Sequence, residues 1–306
     1  MNMSTLPPEY LDYPDRHYGQ DIPRYDWRMS VSRRNILWPD GKAVAALIIV
    51  PLEFFMLNPS GKPFKHPGAM VTPFPDLRHY TSRDYGNRVG VFRILKALKE
   101  AGLRATFPVN GVLLDKKRPL IDAVIADGHE IAAHGWDTDS IHWGGIDPAI
   151  EAEYITKTRS AFTAAGLHPR TWMSPARQQS EATLDLIKAA GFDVCLDWES
   201  DSVPWSMRTD HGPLTCVPVN NEMDDRKILI EQRQSEAEWR DQILAARDLL
   251  VEEASRFGGQ VLSFTLTPYI SGLPFRIWAL RAVLASLGSD PNVWSATASE
   301  VANASI

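Results

Sequence analysis

The run Val44-Ala45-Ala46-Leu47-Ile48-Ile49-Val50-Pro51-Leu52-Glu53 decides the fold. Its first half is continuously apolar, with no alternation. A strand covered on both faces needs this, and parallel sheets between helices meet that condition. Pro51 ends the run, and Glu53 follows where such a strand opens into a loop. Working outward, similar short buried runs recur near 104–109, 130–134, 171–174, 194–198, 215–219 and 261–266, with a last one near 292–296.

The segments between these runs have helical ends. Val89 to Ala101 places Val91, Ile94, Leu95 and Leu98 on one face and stops at Gly102. Asp147-Pro148 pairs an N-cap with proline at the first helical position, and that helix stops at Gly166. Ser180 is read as the cap of a helix closed by Gly191, and Ser235 with Glu238 as a capping box opening a long helix that ends near Gly258-Gly259. Buried strands alternating with amphipathic helices predict an α/β fold, with parallel strands inside and helices outside. About seven such units would close a barrel.

Residues 1–40, marked by Pro, Tyr, Asp and Arg without periodicity, read as an N-terminal arm, and residues 41–306 as the barrel domain. The segment Phe54 to Asp84, with its Pro, Gly, His and Phe, reads as a lid or wall over the barrel mouth.

With 306 residues and 44% hydrophobic content the chain can bury a large core. A net charge of -6 and scattered lysines and arginines leave no footprint for nucleic acid. No apolar run approaches the ~20 residues of a membrane span. The acidic, proline-marked start lacks the apolar region of a signal peptide, so a cytoplasmic location is expected. Cys195 and Cys216 are too few for a disulfide framework and are expected as buried free thiols.

In a parallel barrel the C-terminal strand ends open at one mouth. Glu53, Asn110, His134, Arg177, Asp197 with Asp201, Asn220 with Asn221, and Thr267 each follow such an end. Glu53, set among Leu52 and Phe54-Phe55, should resist ionisation through desolvation and so suit general base or acid work; it could equally be a buried partner of an arginine. His134 is followed by Gly135, which would allow a close approach of substrate or backbone, whereas His129 enters its strand near the opposite end and is read as structural. One of Asp197 and Asp201 could orient His134 or bind a substrate N–H. Arg177 or Arg88 could hold an oxyanion or a carboxylate, or pair with Glu53. Trp136 and Trp198 flank these polar positions as candidate flat walls. No phosphate loop, nucleophile elbow or zinc-finger spacing is present.

Taken in order, Gly128-His129-Glu130-Ile131-Ala132-Ala133-His134-Gly135-Trp136, Tyr85-Gly86-Asn87-Arg88-Val89-Gly90, Thr183 to Phe192 and Gly272-Leu273-Pro274-Phe275-Arg276 resemble the polysaccharide deacetylase (NodB homology) superfamily. The chain is most similar to the branch holding the cofactor-independent allantoinases and cyclic imide hydrolases, over roughly residues 25 to 300. The resemblance implies a distorted (β/α)7 barrel. It also implies, for the deacetylases, a divalent metal held by an aspartate and two histidines, beside a catalytic aspartate and a late histidine. Here the tandem acidic pair reads Glu53-Phe54, the first metal histidine matches His134, the second position is Thr138, and the late histidine position is Thr267. One ligand of three cannot hold a catalytic metal. No metal and no cofactor are therefore expected unless Asp137, His142 or Asp197 supplies new ligands.

The expectation is a metal-independent hydrolase of carbon–nitrogen bonds in a small amide, cyclic imide or ureide. Glu53 would activate water and His134 would donate to the oxyanion or leaving nitrogen. Arg88, Trp136, Arg177, Asp197, Trp198, Asp201, Asn221 and Thr267 would surround the substrate. The alternatives are an inactive barrel that binds a ligand or serves in an assembly, and a metal deacetylase with rearranged ligands. The arm and the resemblance together suggest a homodimer or homotetramer.

Overall fold

The computed structural model describes residues 22–61, 65 and 69–305; most of the expected arm, residues 1–21, lies outside them. Strand β1 (Val44–Ile49) leads to helix α1 (Leu77–Tyr85), a π-helical turn at Gly86–Gly90, and α2 (Val91–Ala101). Then come β2 (Thr106–Val109), α3 (Leu113–Lys116), α4 (Arg118–Ala126), β3 (Glu130–Ala133), α5 (Pro148–Ala164), β4 (Thr171–Trp172), α6 (Thr183–Ala189) and β5 (Val194–Cys195). A short excursion forms β6 (Trp205–Met207) and β7 (Leu214–Cys216), followed by a second π-helical turn at Arg226–Glu231. The chain closes with α7 (Glu236–Phe257), β8 (Gln260–Thr265), α8 (Pro268–Ser271), α9 (Ile277–Ser289), β9 (Val293–Ala296) and α10 (Ala298–Ala304).

The strands form one sheet in the order β6-β7-β5-β4-β3-β2-β1-β8, with β9 on β1. Every pair is parallel except β6 with β7. β1 is the hub. One edge runs in register along Gln260–Thr265, and the other is shared, with Val293–Ala296 beside Val44–Leu47 and Thr106 beside Ile49. The unbroken apolar run has its cause here. Ala46 and Ile48 pack outward with α2 and α9 residues such as Leu98 and Leu284, while Leu47 and Ile49 point into the barrel with Leu196, Val217 and Val219. The result is the distorted (β/α)7 barrel that the resemblance implies, with the parallel strands inside and helices outside that the strand pattern predicts.

The barrel is not closed by strand pairing between β6 and β8, the two ends of the sheet. On the open edge of β8 the Val261 N–H donates to the Ser202 carbonyl (2.9 Å), and the Thr265 and Thr267 N–H groups donate to the carboxylates of Asp224 (3.0 Å) and Asp225 (2.7 Å). The Asn220 N–H donates to Ser263 Oγ at 2.9 Å. Side chains and a loop thus satisfy an edge that would otherwise offer bare donors.

The capping box of Ser235 and Glu238 forms as read, and Asp147 caps α5. Ser180 does not cap directly: it accepts from the Ala182 N–H, and α6 begins at Thr183. The helix expected from Val89 begins at Val91, because Gly86–Gly90 forms the π-helical turn. β6, three residues long, is absent from the sequence reading. Cys195 and Cys216 are buried free thiols on neighbouring strands. Among the described residues no helix is long and apolar enough to cross a membrane.

Candidate active site

Glu53 and His134 leave strands on either side of β2 and meet at the mouth, with His134 Nε2 3.9 Å from Glu53 Oε1. Their backbones are positioned by amides. Asn110 accepts from the Phe54 N–H (2.8 Å) through Oδ1 and donates from Nδ2 to the His134 carbonyl, and Asn87 donates to the Glu53 carbonyl (2.8 Å). His134 is buried, and its Nδ1 lies 2.8 Å from the Met173 carbonyl. A carbonyl only accepts, so Nδ1 carries a proton, and Nε2 is the ring nitrogen turned toward Glu53. The Glu53 side chain is 22% exposed, half-buried rather than enclosed. It borders two small cavities of about 10 Å³ each, beside Phe55 and Asn87, each the size of one water.

The residues at the family's metal positions do not fit a metal. The Phe54 ring offers no ligand. Thr138 commits its hydroxyl (2.9 Å) and its N–H (3.3 Å) to the Phe54 carbonyl. The three candidate replacements do not converge: His142 keeps a buried Nε2 without a partner among the described residues, but no second and third ligand stand grouped with it. Asp137 accepts from the Asp139 and Ser140 N–H groups, His142 Nδ1 pairs with Glu151 (2.9 Å), and Asp197 accepts from the Ser174 N–H (2.8 Å). Among the described residues no three His, Cys, Asp or Glu side chains are grouped so as to hold an ion.

Several expected ligand contacts are corrected. Arg88 is 74% exposed and pairs only loosely with Asp84 (3.9 Å). The cause is the π-helical turn. Gly86 and Gly90 press against Tyr269 and Pro268, where a Cβ at Gly90 would meet the Pro268 oxygen at 2.0 Å, so Arg88 is directed outward. Trp136 packs over Gly111 and beneath Lys157 of α5, whose ammonium sits 3.9 Å from the ring centre, away from the Glu53–His134 pair. Arg177 is a strut: its guanidinium donates to the Val219 carbonyl (2.6 Å), the Asn221 amide oxygen and Asp224 (3.3 Å), which also removes Asn221 as a free ligand.

Asp197 is half-buried at the end of β5. Burial pushes its carboxyl up, opposed by hydrogen bonds from Ser174 and Gln179, and it holds the loop after Met173 rather than His134 itself. Trp198 donates its indole N–H to the Gln179 side chain (2.8 Å). Asp201 is paired with Arg33 and lines a separate cavity of about 810 Å³ beneath the arm segment. Thr267 is buried at the start of α8, its N–H on Asp225. The common reason is that polar groups at strand ends satisfy one another first. His129 accepts from the Ala105 N–H (3.2 Å), as its structural reading expects, and burial holds its ring below the ordinary histidine range.

The structure also brings in residues that the sequence reading passed over. α1 buries His79 and Arg83 on one face, and Phe55 stands edge-on to both His79 (5.9 Å) and Tyr269 (5.8 Å). The Arg83 guanidinium lies 5.1 Å from the Tyr269 ring centre and shares a cavity with Glu53. Burial pulls Arg83 below its ordinary range, while Tyr269 and Glu53 pull it back. Tyr269 is pushed up, first by burial and next by Glu53. Arg83, not Arg88 or Arg177, is thus the arginine beside Glu53. Asp76, whose side chain caps α1 at the His79 N–H (3.0 Å), was the available signal, since a helix started there puts His79 and Arg83 on one face.

Comparison with known proteins gives a consistent fold. Residues 78–195 match the family model described as polysaccharide deacetylase, which bears out the superfamily resemblance. A curated protein of Schizosaccharomyces pombe, provisionally named a polysaccharide deacetylase, is 24% identical over 298 residues, covering 87% of this chain and 91% of its own length. Among solved structures, a provisionally named polysaccharide deacetylase from Pseudomonas aeruginosa PAO1 superposes with a TM-score of 0.80 at 22% identity, over 90% of this chain and 97% of its own. PuuE allantoinase does so with a TM-score of 0.80 at 22% identity, over 92% and 97%.

Proposed function

We propose, for a chain with a polysaccharide deacetylase-like barrel, a metal-independent hydrolase of carbon–nitrogen bonds in small amides, cyclic imides or ureides. The observation that carries this reading is the Glu53–His134 pair, with the ring oriented by the Met173 carbonyl. Glu53 and His134 Nε2, 3.9 Å apart, are too far for a direct hydrogen bond and within reach of one another through a single water. Glu53 takes a proton from a water attacking the carbonyl carbon. The proton is then held at Nε2 and delivered to the leaving nitrogen as the C–N bond breaks. With Nδ1 committed to the Met173 carbonyl, Nε2 is the nitrogen left to exchange a proton with Glu53 and the leaving group. The residues at the metal positions, Phe54 and Thr138, support a route without metal, and the name of one structural relative, an allantoinase, supports a carbon–nitrogen bond as the target.

The test is a turnover screen of cyclic imides, hydantoins, ureides and N-acetyl sugars, with and without chelator. A substrate turned over equally in both arms is expected. Glu53→Gln should lower kcat/KM about 10²- to 10⁴-fold. A rate within a few-fold of wild type for that variant would sink the mechanism, and stoichiometric zinc, nickel or manganese in the purified protein would sink the metal-free route. A second reading, an inactive barrel, draws on the size of the two cavities at Glu53, each about 10 Å³ and with room for no more than one water. Any turnover lost in Glu53→Gln eliminates it.

A further inference from the structure

Beyond Tyr269, on the side away from the barrel axis, lies a groove of about 640 Å³, within the size range of small-molecule sites. Its floor is apolar, built from Leu229, Ile230, Ile270 and Leu273, and three arginines stand around it, Arg78, Arg233 and Arg276. No Asp or Glu lines it among the described residues. Arg276 is held by Glu236 (3.0 Å), whereas Arg78 and Arg233 are exposed and make no ion pair among the described residues. An uncompensated cationic rim runs against the sign of a chain whose net charge is -6. Arg233 also has φ 57°, a left-handed conformation that a non-glycine residue rarely takes.

The groove and the candidate active site share Tyr269 as a common wall. Ser82, at the groove edge, accepts from the Arg83 guanidinium at 2.9 Å. We propose that this groove is the subsite for the far end of the substrate, and that the substrate is an amide or imide whose apolar stem ends in a carboxylate. The stem would lie on Leu229, Ile270 and Leu273, the carboxylate would be held between Arg78 and Arg233 by charge-assisted hydrogen bonds, and the scissile bond would reach Glu53 past Tyr269. This inference rests on the hydrolase reading for the scissile bond but not for the binding step.

The experiment separates the two. Calorimetric titration of the full chain with 4-phenylbutyrate and with its neutral amide should show the carboxylate binding at least about tenfold more tightly. The double variant Arg78→Gln with Arg233→Gln should erase the difference, and Arg78→Lys with Arg233→Lys should restore part of it. Among substrates found in the turnover screen, those bearing a carboxylate should lose about 10- to 100-fold in kcat/KM in the Gln double variant, mainly through KM, while neutral ones are unchanged. Equal binding of the two probes, a preference that survives the double variant, or binding of a polyglutamate peptide without the small carboxylate overturns the subsite. A carboxylate preference with no turnover of any amide removes the hydrolase reading and leaves the subsite. Turnover of neutral amides with no such preference does the reverse.

Discussion

Replacing Asp225 with asparagine is expected to change how stability depends on pH. Asp225 is fully buried at the open edge of β8, where it accepts from the Thr267 N–H (2.7 Å) and the Ser271 hydroxyl (2.5 Å), and its Oδ1 has no partner among the described residues. Burial pushes its carboxyl up to about 7, with the two hydrogen bonds opposing and Asp224 adding to the rise. In the unfolded chain an aspartate titrates near ~3.9. The folded value is the higher one, so the contribution to stability is complete below about pH 4 and is lost as pH rises toward 7. A gap of about three units, at about 1.4 kcal/mol each, amounts to a loss on the order of 4 kcal/mol. Asparagine retains an oxygen for both donors and has no proton to release. Urea unfolding at pH 5 and pH 8 reads this directly. Wild type should lose about 3 kcal/mol from this group over that interval, and Asp225→Asn should lack that loss. The same pH slope in both proteins would refute the reasoning.

Two other changes have expected outcomes. Gly135 has φ 61°, and a Cβ there would fall 2.5 Å from Pro175 Cγ, so Gly135→Ala should cost about 3 kcal/mol and displace His134; an unchanged melting temperature with unchanged turnover would contradict both statements. Glu151 is fully buried; burial works to raise its carboxyl, but hydrogen bonds from His142, Ser180 and Thr183 outweigh it and hold the group below its ordinary range. Glu151→Gln should therefore lower stability by about 3 kcal/mol, read from the urea midpoint, and a loss under 1 kcal/mol would show the network to be dispensable.

How far the sequence could be read depended on the range of the forces involved. The buried run at Val44 and the capping box at Ser235 are local patterns, and both formed as read. So did the convergence of Glu53 and His134, because a parallel sheet brings strand ends together whatever the loops do. β6 went unread because three residues, Trp205-Ser206-Met207, carry no periodicity. Arg88 stands outside the site because close packing of Gly86 and Gly90 on α8 makes a π-helical turn just ahead of the helix expected from Val89, and no local pattern in the sequence marks it. Arg83 and Tyr269 were missed for a different reason. They reach Glu53 from elements far along the chain, and only the docking of α1 against α8 brings them together.

The gap between β6 and β8 gives the barrel wall the mechanics of an open ring with a clasp. Parting two strands of a ladder breaks every rung together, whereas here Ser202, Asp224 and Asp225 each hold one N–H and can release it singly. The circumference can therefore change on that side while β1 to β3, which carry Glu53 and His134, stay locked in register. The clasp also adjoins Thr267 and α8, so any widening there moves Tyr269, the partition between groove and catalytic pair, before it disturbs the pair itself.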